Sequence, residues 1–163
     1  MSQPSATIAN ELSRYYQEMS DKITELVEPL TDDQLWTRPY SYGNSIGHLL
    51  LHLTGNLNYY IGTEIAHTGY VRNRPLEFTD PSRKPKQVVL QDFHQAIAMV
   101  RASLAQQQAD DWSAAYTAKG MEQGGTRFYA FVNCAAHLSH HRGQIIYLCK
   151  QLEKIAASAE ASG

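Results

Sequence analysis

The stretch His137-Leu138-Ser139-His140-His141-Arg142-Gly143-Gln144 places three histidines within five residues of one helical pattern. His137 and His141 are four residues apart, so a helix projects both imidazoles from the same face. Imidazole is the commonest side-chain ligand for metals, and such a face suits Zn²⁺ or a similar ion. A zinc-type catalytic site usually has three protein ligands and one open position. Another segment of the fold must therefore supply the third ligand.

Length and composition describe a globular protein of one domain. The chain has 163 residues, of which 43% are hydrophobic and 18% charged, and its net charge is -2. A chain of this size can bury a core without disulfides, and its apolar content excludes disorder. Basic residues are scattered among acids, so no electrostatic footprint for nucleic acid is present. We predict a single domain over residues 1–163, with an ordered core over about 5–157.

The cysteines and the hydropathy of the sequence indicate the cellular compartment of the protein. Cys134 and Cys149 lie on one predicted helix, too far apart to bridge each other if that helix is continuous. We interpret Cys134 as a small buried hydrophobic residue, because free cysteine is usually buried. The first residues lack the apolar core of a signal peptide, and no stretch has the roughly 20 apolar residues that span a bilayer. A reduced, cytoplasmic setting is expected.

Apolar residues recur at steps of three and four in four long segments, which is typical of amphipathic helices. The predicted helices cover about 5–27, 45–67, 85–107 and 126–157. Long polar connections over 69–85 and 108–125 allow a crossover topology. No segment has a convincing strand pattern. The sequence therefore predicts an all-α protein, a four-helix bundle with long crossover connections, and such bundles build ligand sites between facing helices.

Single residues refine this outline. Gly69 predicts the end of the second helix near His67, whose side chain then faces the negative end of the helix dipole. Gly143 predicts close approach of the second helix to the fourth. Trp112 and Tyr116 are expected to anchor the second long connection to the body of the protein.

The second helix carries another histidine pair, His48 and His52, with the same spacing of four. Two facing helices can thus direct imidazoles at one point, although histidines without metal would give the same spacing. Helix phase places His52 near the apolar stripe and His48 nearer the helix start. His140 lies about 100° around the helix from His141, so it is the weaker candidate of the fourth helix.

Two segments together resemble a known family. Asn44-Ser45-Ile46-Gly47-His48-Leu49-Leu50-Leu51-His52-Leu53-Thr54-Gly55-Asn56 is similar to the second-helix signature of the DinB-like superfamily. His137-x-x-x-His141-Arg142-Gly143-Gln144-Ile145 is similar to its fourth-helix signature, and Val71-Arg72-Asn73-Arg74-Pro75 resembles one branch of it. The similarity runs from the first helix to about Leu152, and the combination is more specific than either half.

The resemblance implies a four-helix bundle that holds a divalent metal through three histidines. By position these are His52, His137 and His141. His48 and His140 depart from the residues usual in the family, which leaves open a fourth ligand or a nearby proton carrier. The ligand type suits Zn²⁺, Ni²⁺, Fe²⁺ or Cu²⁺.

A metal-bound imidazole usually donates its other ring N–H to an acceptor. The candidate partners, or polar residues of the site, are Asn56, Tyr59, Glu64 and Gln144. Ordinary polar contacts within the bundle are the alternative for each. Arg142 either binds an anionic substrate or lies on the solvated face.

Three hypotheses for function follow from such a site. The first is a metal-dependent enzyme acting on a small-molecule substrate, either a hydrolase or a thiol S-transferase that uses a low-molecular-weight thiol. The resemblance supports both, since relatives include bacillithiol- and mycothiol-dependent transferases and proteins described as metal-dependent hydrolases. The second is a non-catalytic metal- or small-molecule-binding bundle in a stress response, and the third is a structural or dimer module. No catalytic residue is assigned, and a homodimer is expected without nucleic-acid or membrane partners.

Overall fold

A computed structural model describes residues 3–161 of the chain, and its elements follow one another in a simple order. They are α1 (Gln3–Val27), α2 (Asp32–Trp36), α3 (Ile46–Leu57), α4 (Leu76–Thr79), α5 (Lys86–Gln106), β1 (Ala115–Ala118), β2 (Met121–Thr126) and α6 (Arg127–Glu160). A π-helical segment, Asn58–Thr63, extends α3, and a short 3-10 turn, Asp110–Ser113, precedes β1.

The four long helices form the predicted bundle. Helix α1 packs against α5 and α6, and α3 packs against the same two helices. Consecutive long helices α1 and α3 are therefore diagonal, as are α5 and α6, which requires the predicted crossover connections. The core includes the fully buried side chains of Tyr16, Leu53, Phe93 and Phe131. The Tyr16 hydroxyl donates to the Phe131 carbonyl at 2.7 Å, so the polar atom of this buried ring is satisfied.

Polar caps start the two helices that carry the histidines. Ser45 caps α3, its side chain accepting from the backbone N–H of His48, and Thr126 caps α6 by accepting from Tyr129 N–H. Each cap satisfies one of the unpaired N–H groups in a first helical turn. The predicted starts near residues 45 and 126 are thus confirmed.

Helix α2 is held against the start of α3 by Trp36. Its indole Nε1 donates to the Lys84 carbonyl at 3.0 Å, and its ring lies over Gly47. A Cβ at Gly47 would come within 2.7 Å of that ring, so this contact requires glycine. The loop between α1 and α3 is thereby fixed beside the histidine-bearing turn of α3.

The predicted end of the second helix near His67 is wrong. Regular α-helix stops at Leu57, and the π-helical segment ends at Thr63. Wide backbone bonds, Ala66 N–H to Ile61 O at 2.9 Å and Thr68 N–H to Gly62 O at 3.0 Å, then turn the chain away. His67 lies outside the helix, with a φ of 53°.

A β-hairpin occupies the second long connection, where the sequence predicted no strand. Strands β1 and β2 pair antiparallel, and Tyr116 is the only buried residue among their ten, which explains the absence of apolar alternation. The anchoring role of Trp112 and Tyr116 is confirmed, because both are buried. Trp112 Nε1 donates to Ser5 Oγ at 2.8 Å, and the Tyr116 hydroxyl donates to the Tyr60 carbonyl at 2.8 Å.

The last helix extends beyond its predicted end near residue 157. It reaches Glu160, and residues 162 and 163 lie outside the described residues. Cys134 and Cys149 are both free and buried, as predicted for Cys134, and burial raises the pKa of Cys134 to about 12. Within residues 3–161, no helix combines the length and apolar character needed to cross a bilayer.

Candidate metal centre

Three imidazoles converge between helices α3 and α6. His52 comes from α3, whereas His137 and His141 come from successive turns of α6. Nε2 of His137 lies 3.2 Å from Nε2 of His52 and 2.9 Å from Nε2 of His141, and the potential ligand atoms all lie within 4.8 Å of one another. His52 and His141 are less than one-tenth exposed. The structure therefore brings together the three residues expected as ligands.

Hydrogen bonds fix which nitrogen carries a hydrogen in two of these rings. Nδ1 of His52 lies 2.7 Å from Oε2 of Glu77, and Nδ1 of His141 lies 2.7 Å from Oε1 of Gln144. Both partners accept, so each Nδ1 carries its hydrogen, and the Nε2 of each ring is the nitrogen left for a metal ion. Nε2 of His137 lies close to Nε2 of both other rings, but a single N–H there can donate to only one of them. The three rings therefore fit a divalent ion bound through their Nε2 atoms, while Glu77 and Gln144 hold the Nδ1–H groups of His52 and His141.

Glu77 is a buried carboxylate that also pairs with Arg72. Arg72 donates Nε to Oε1 at 2.6 Å and Nη2 to Oε2 at 2.9 Å, and both side chains are less than one-tenth exposed. Burial raises the pKa of Glu77, but hydrogen bonds from His52 and Arg72 and the charge of Arg72 outweigh it and lower that pKa. Glu77 is therefore an anion that accepts from His52.

Gly55 makes room for this carboxylate. A Cβ at that position would lie 2.2 Å from Oε1 of Glu77, closer than non-bonded atoms approach. Glycine within α3 thus allows the short helix α4 to deliver Glu77 to His52. Gly143 plays no corresponding part, because a Cβ there would meet no atom within 4 Å. The predicted close approach at Gly143 is wrong.

The environment keeps the two imidazoles of α6 neutral. Burial is the main cause that lowers the pKa of His137 to about 3, and the neighbouring histidines lower it further. Burial also lowers the pKa of His141 to about 4, although its hydrogen bond with Gln144 opposes the shift. Neutral imidazole is the form that binds metals. Both rings are therefore ready for metal binding at neutral pH.

These low pKa values predict acid sensitivity in the metal-free protein. The ordinary histidine pKa is about 6.5, so on acidification the unfolded chain takes up protons before the folded chain does. Stability present above about pH 6.5 is lost as the pH falls toward 4. We expect a lower urea midpoint at pH 5 than at pH 7, with a smaller difference in His137→Asn. Equal midpoints at the two pH values would contradict this electrostatic description.

Gln144 and His140 lie beside the cluster, whereas His48 lies apart from it. Gln144 bridges two histidines, since its Nε2 lies 3.1 Å from Nε2 of His140 while its Oε1 accepts from His141. His140 is exposed, and its ring centre lies 4.9 Å from that of His141. His48 lines a different cavity and contacts Ser45 and Trp36. His48 is therefore not among the three clustered ligand candidates.

A cavity of about 410 Å³ adjoins the cluster. Asn56 lines it, and its Oδ1 is buried without a hydrogen-bond partner among the described residues. Arg74 also lines this cavity and stacks over Phe78 at 5.5 Å. Gly120 and Met121 of the hairpin also line it. The cavity therefore offers an amide, a guanidinium and apolar contacts beside the imidazoles.

The Tyr59 hydroxyl contacts the β-hairpin and Glu64 rather than the imidazoles. The Tyr59 hydroxyl accepts from the backbone N–H of Lys119 at 3.2 Å, and Glu64 lies beside that hydroxyl. Arg142 is half-buried, with its Nε unpartnered among the described residues, so it does not lie on a fully solvated face.

Glu77 and Arg72 are the site residues that the sequence analysis missed. Both lie in the predicted polar connection 69–85, where charged residues are usually exposed to solvent. One signal was present in α3: a glycine three residues after His52, on a neighbouring position of the helix surface. It indicated that some group approaches α3 closely there, but not which one.

The fold and the site define the class of this protein. It is a helical bundle in which two facing helices bring together three imidazoles that could hold a divalent ion. Comparison with protein families then gives its membership. The family model of the DinB superfamily matches residues 15–145, and the chain belongs to this superfamily.

Solved structures show the same fold. A conserved protein from Enterococcus faecalis superposes with a TM-score of 0.71 at 17% identity, covering 87% of this chain and 95% of that one. A DinB-like protein from Bacillus cereus ATCC 10987 superposes with a TM-score of 0.70 at 12% identity, covering 87% and 91%. No curated protein matches the chain in sequence. These likenesses establish the fold and leave the reaction to be argued from the site.

Proposed function

We propose that this protein is a metal-dependent enzyme, of the hydrolase class, that binds one divalent ion through His52, His137 and His141. The observation that carries the proposal is the orientation of the cluster by hydrogen bonds to Nδ1 of His52 and His141. Glu77 and Gln144 hold the Nδ1–H groups of two rings, so their Nε2 atoms face the centre. Three imidazoles leave a coordination position for water or substrate. Zn²⁺, Ni²⁺ and Fe²⁺ suit this ligand set.

When bound, such an ion supplies Lewis acidity, which polarises a carbonyl and lowers the pKa of a water molecule to about 7. The chain's own residues set the conditions for that chemistry. Glu77 orients His52 and increases its basicity, and Gln144 does the same for His141. Phe78 packs on the His52 ring with centres 4.8 Å apart and shields it from water.

The adjoining cavity determines what a substrate can be. Its volume of about 410 Å³ suits a small molecule rather than a polymer. Asn56 has an unpartnered amide oxygen that can accept from an N–H or O–H group of a substrate. A small amide or ester with a polar substituent fits these groups.

Thiol S-transfer is the second candidate, and Arg74 is the observation that favours it. Its guanidinium lines the cavity and forms no ion pair within the described part of the chain. A free guanidinium suits the carboxylate of an anionic low-molecular-weight thiol. Thiolate is the nucleophile of such a transfer, and a divalent ion stabilises it.

A turnover screen of metal-loaded protein tests the enzyme proposal. The protein is reconstituted separately with Zn²⁺, Ni²⁺ and Fe²⁺ and assayed on small esters and amides, and on electrophiles with low-molecular-weight thiols. We expect metal-dependent turnover that falls more than about 100-fold in His137→Ala, since loss of an outer hydrogen-bond partner alone costs about 10–100-fold. His94→Ala is the matched control, because His94 is exposed on α5 and contacts Thr24. Wild-type turnover in His137→Ala would refute the proposed role of the metal.

A further inference from the structure

A second cavity, of about 550 Å³, is lined by the end of α2, by His48 of α3 and by the residues from Thr79 that end and follow α4. Arg38, His48, Asp80 and Arg83 line it, and none of them lines the cavity beside the three imidazoles. Phe78 contacts one residue of each lining, since its ring packs on His52 while its carbonyl accepts from Arg38 Nη2 at 2.8 Å. This second cavity therefore has its own set of charged groups.

His48 presents an N–H donor to this cavity. The Oγ of Ser45 accepts from the backbone N–H of His48 at 3.3 Å and lies 2.5 Å from Nδ1 of the same residue. Ser45 is fully buried, and its hydroxyl hydrogen has no other acceptor among the described residues, so it donates to Nδ1. The neutral ring then carries its hydrogen on Nε2.

Neighbouring groups hold His48 in that neutral form. Burial is the main cause that lowers its pKa, and the charges of Arg38 and Arg83 lower it further against the opposing charge of Asp80. The indole of Trp36 packs edge-on against the imidazole with ring centres 5.3 Å apart. The Nε2–H group is thus held in place as a neutral donor at the third residue of α3.

The charges around this donor favour an anion. Arg38 and Arg83 contribute two positive charges and Asp80 one negative charge, so the lining is positive by one. Oδ1 of Asp80 accepts from the backbone N–H of Ser82 at 2.8 Å. The nearby start of α3 adds the partial positive charge of a helix N-terminus. Guanidinium forks and an N–H donor are the groups that bind phosphate oxygens.

We propose that the cavity lined by Arg38, His48 and Arg83 is a second binding site, for a phosphate group that is either free or esterified to a small molecule. The cavity is larger than inorganic phosphate needs, so it can also hold the organic part of a monoester. This site does not depend on the metal centre or on the proposed enzymatic reaction.

Calorimetric titration of the full-length, metal-free protein tests this site. Chelation removes any metal that could bind the same anions, and inorganic phosphate and phenyl phosphate are the two probes. We expect saturable binding of one phosphate group per chain, with affinity reduced at least 10-fold in Arg38→Gln and in Arg83→Gln. Tighter binding of phenyl phosphate identifies the ligand as a monoester, and equal affinities identify it as the phosphate ion.

Two further variants separate binding from folding. Asp80→Asn keeps an oxygen for the Ser82 N–H and removes the negative charge, so it should tighten binding several-fold, which a folding defect cannot do. Arg101→Gln is the matched control, because Arg101 is exposed on α5 and contacts Ser13 and Gln17 instead. Absence of saturable binding, or unchanged affinity in both Arg38→Gln and Arg83→Gln, would overturn the proposal.

Discussion

Replacement of Glu77 by alanine is expected to lower the free energy of unfolding by about 3–5 kcal/mol and to weaken divalent-metal binding about 10–100-fold. The stability loss arises because the Arg72 guanidinium, itself less than one-tenth exposed, is left buried without its partner. The affinity loss arises because His52 no longer has an acceptor to orient its ring. Urea denaturation and metal titration measure the two effects separately. A loss of this size is a large part of the roughly 5–15 kcal/mol that stabilises a typical domain.

A double variant distinguishes the two causes. Arg72→Met with Glu77→Leu removes both buried charges, so it should recover most of the lost stability. Its metal affinity should stay low, because leucine cannot accept from His52. Glu18→Ala serves as the control, since Glu18 pairs with Lys22 on the surface and its loss should leave the urea midpoint nearly unchanged. Wild-type metal affinity in Glu77→Ala would contradict the orienting role of this carboxylate.

Substitution of Gly55 by alanine is expected to destabilise the protein by about 1–3 kcal/mol and to weaken metal binding about 10-fold or more. The added Cβ would lie 2.2 Å from Oε1 of Glu77, so the carboxylate must move away from its bonds with Arg72 and His52. The expected loss opposes helix propensity, which by itself favours alanine over glycine by about 1 kcal/mol.

Gly143→Ala is the matched control for that substitution. Gly143 lies within α6, between the ligand candidate His141 and its partner Gln144, and a Cβ there meets nothing within 4 Å. Helix propensity should therefore make Gly143→Ala neutral or stabilising, with unchanged metal affinity. Equal effects of the two substitutions would show that close approach at Gly55 has no special role.

Local sequence signals predicted the four long helices and the pairing of two ligand candidates on α6. The apolar repeats of α1, α3, α5 and α6 need only helical periodicity, and Ser45 and Thr126 act through hydrogen bonds within four residues. The spacing of His137 and His141 is likewise a property of a single helix. Convergence with His52 needed the facing-helix geometry of the bundle, which the four apolar repeats predicted, and the resemblance to the DinB-like superfamily then selected His52 as the third ligand.

Features set by contacts distant in sequence were not predictable in the same way. The role of Glu77 depends on contacts with His52 and Arg72, which nothing in the pattern of the 69–85 connection specifies. The hairpin forms because buried Tyr116 contacts Tyr60, 56 residues away, although its strands lack an alternating pattern. His67 leaves the helix because wide π-type turns replace regular α-helical bonding.

Metal stoichiometry and affinity in full-length protein test the central claim most directly. Metal-free wild type, His52→Ala, His137→Ala and His141→Ala are titrated with Zn²⁺, with His48→Ala and His94→Ala as controls. The structure predicts one tightly bound ion per wild-type chain, a loss of more than about 100-fold in affinity for each of the three variants, and little change in the controls. Unchanged binding in all three variants, or equal losses in His48→Ala, would contradict a centre built from His52, His137 and His141.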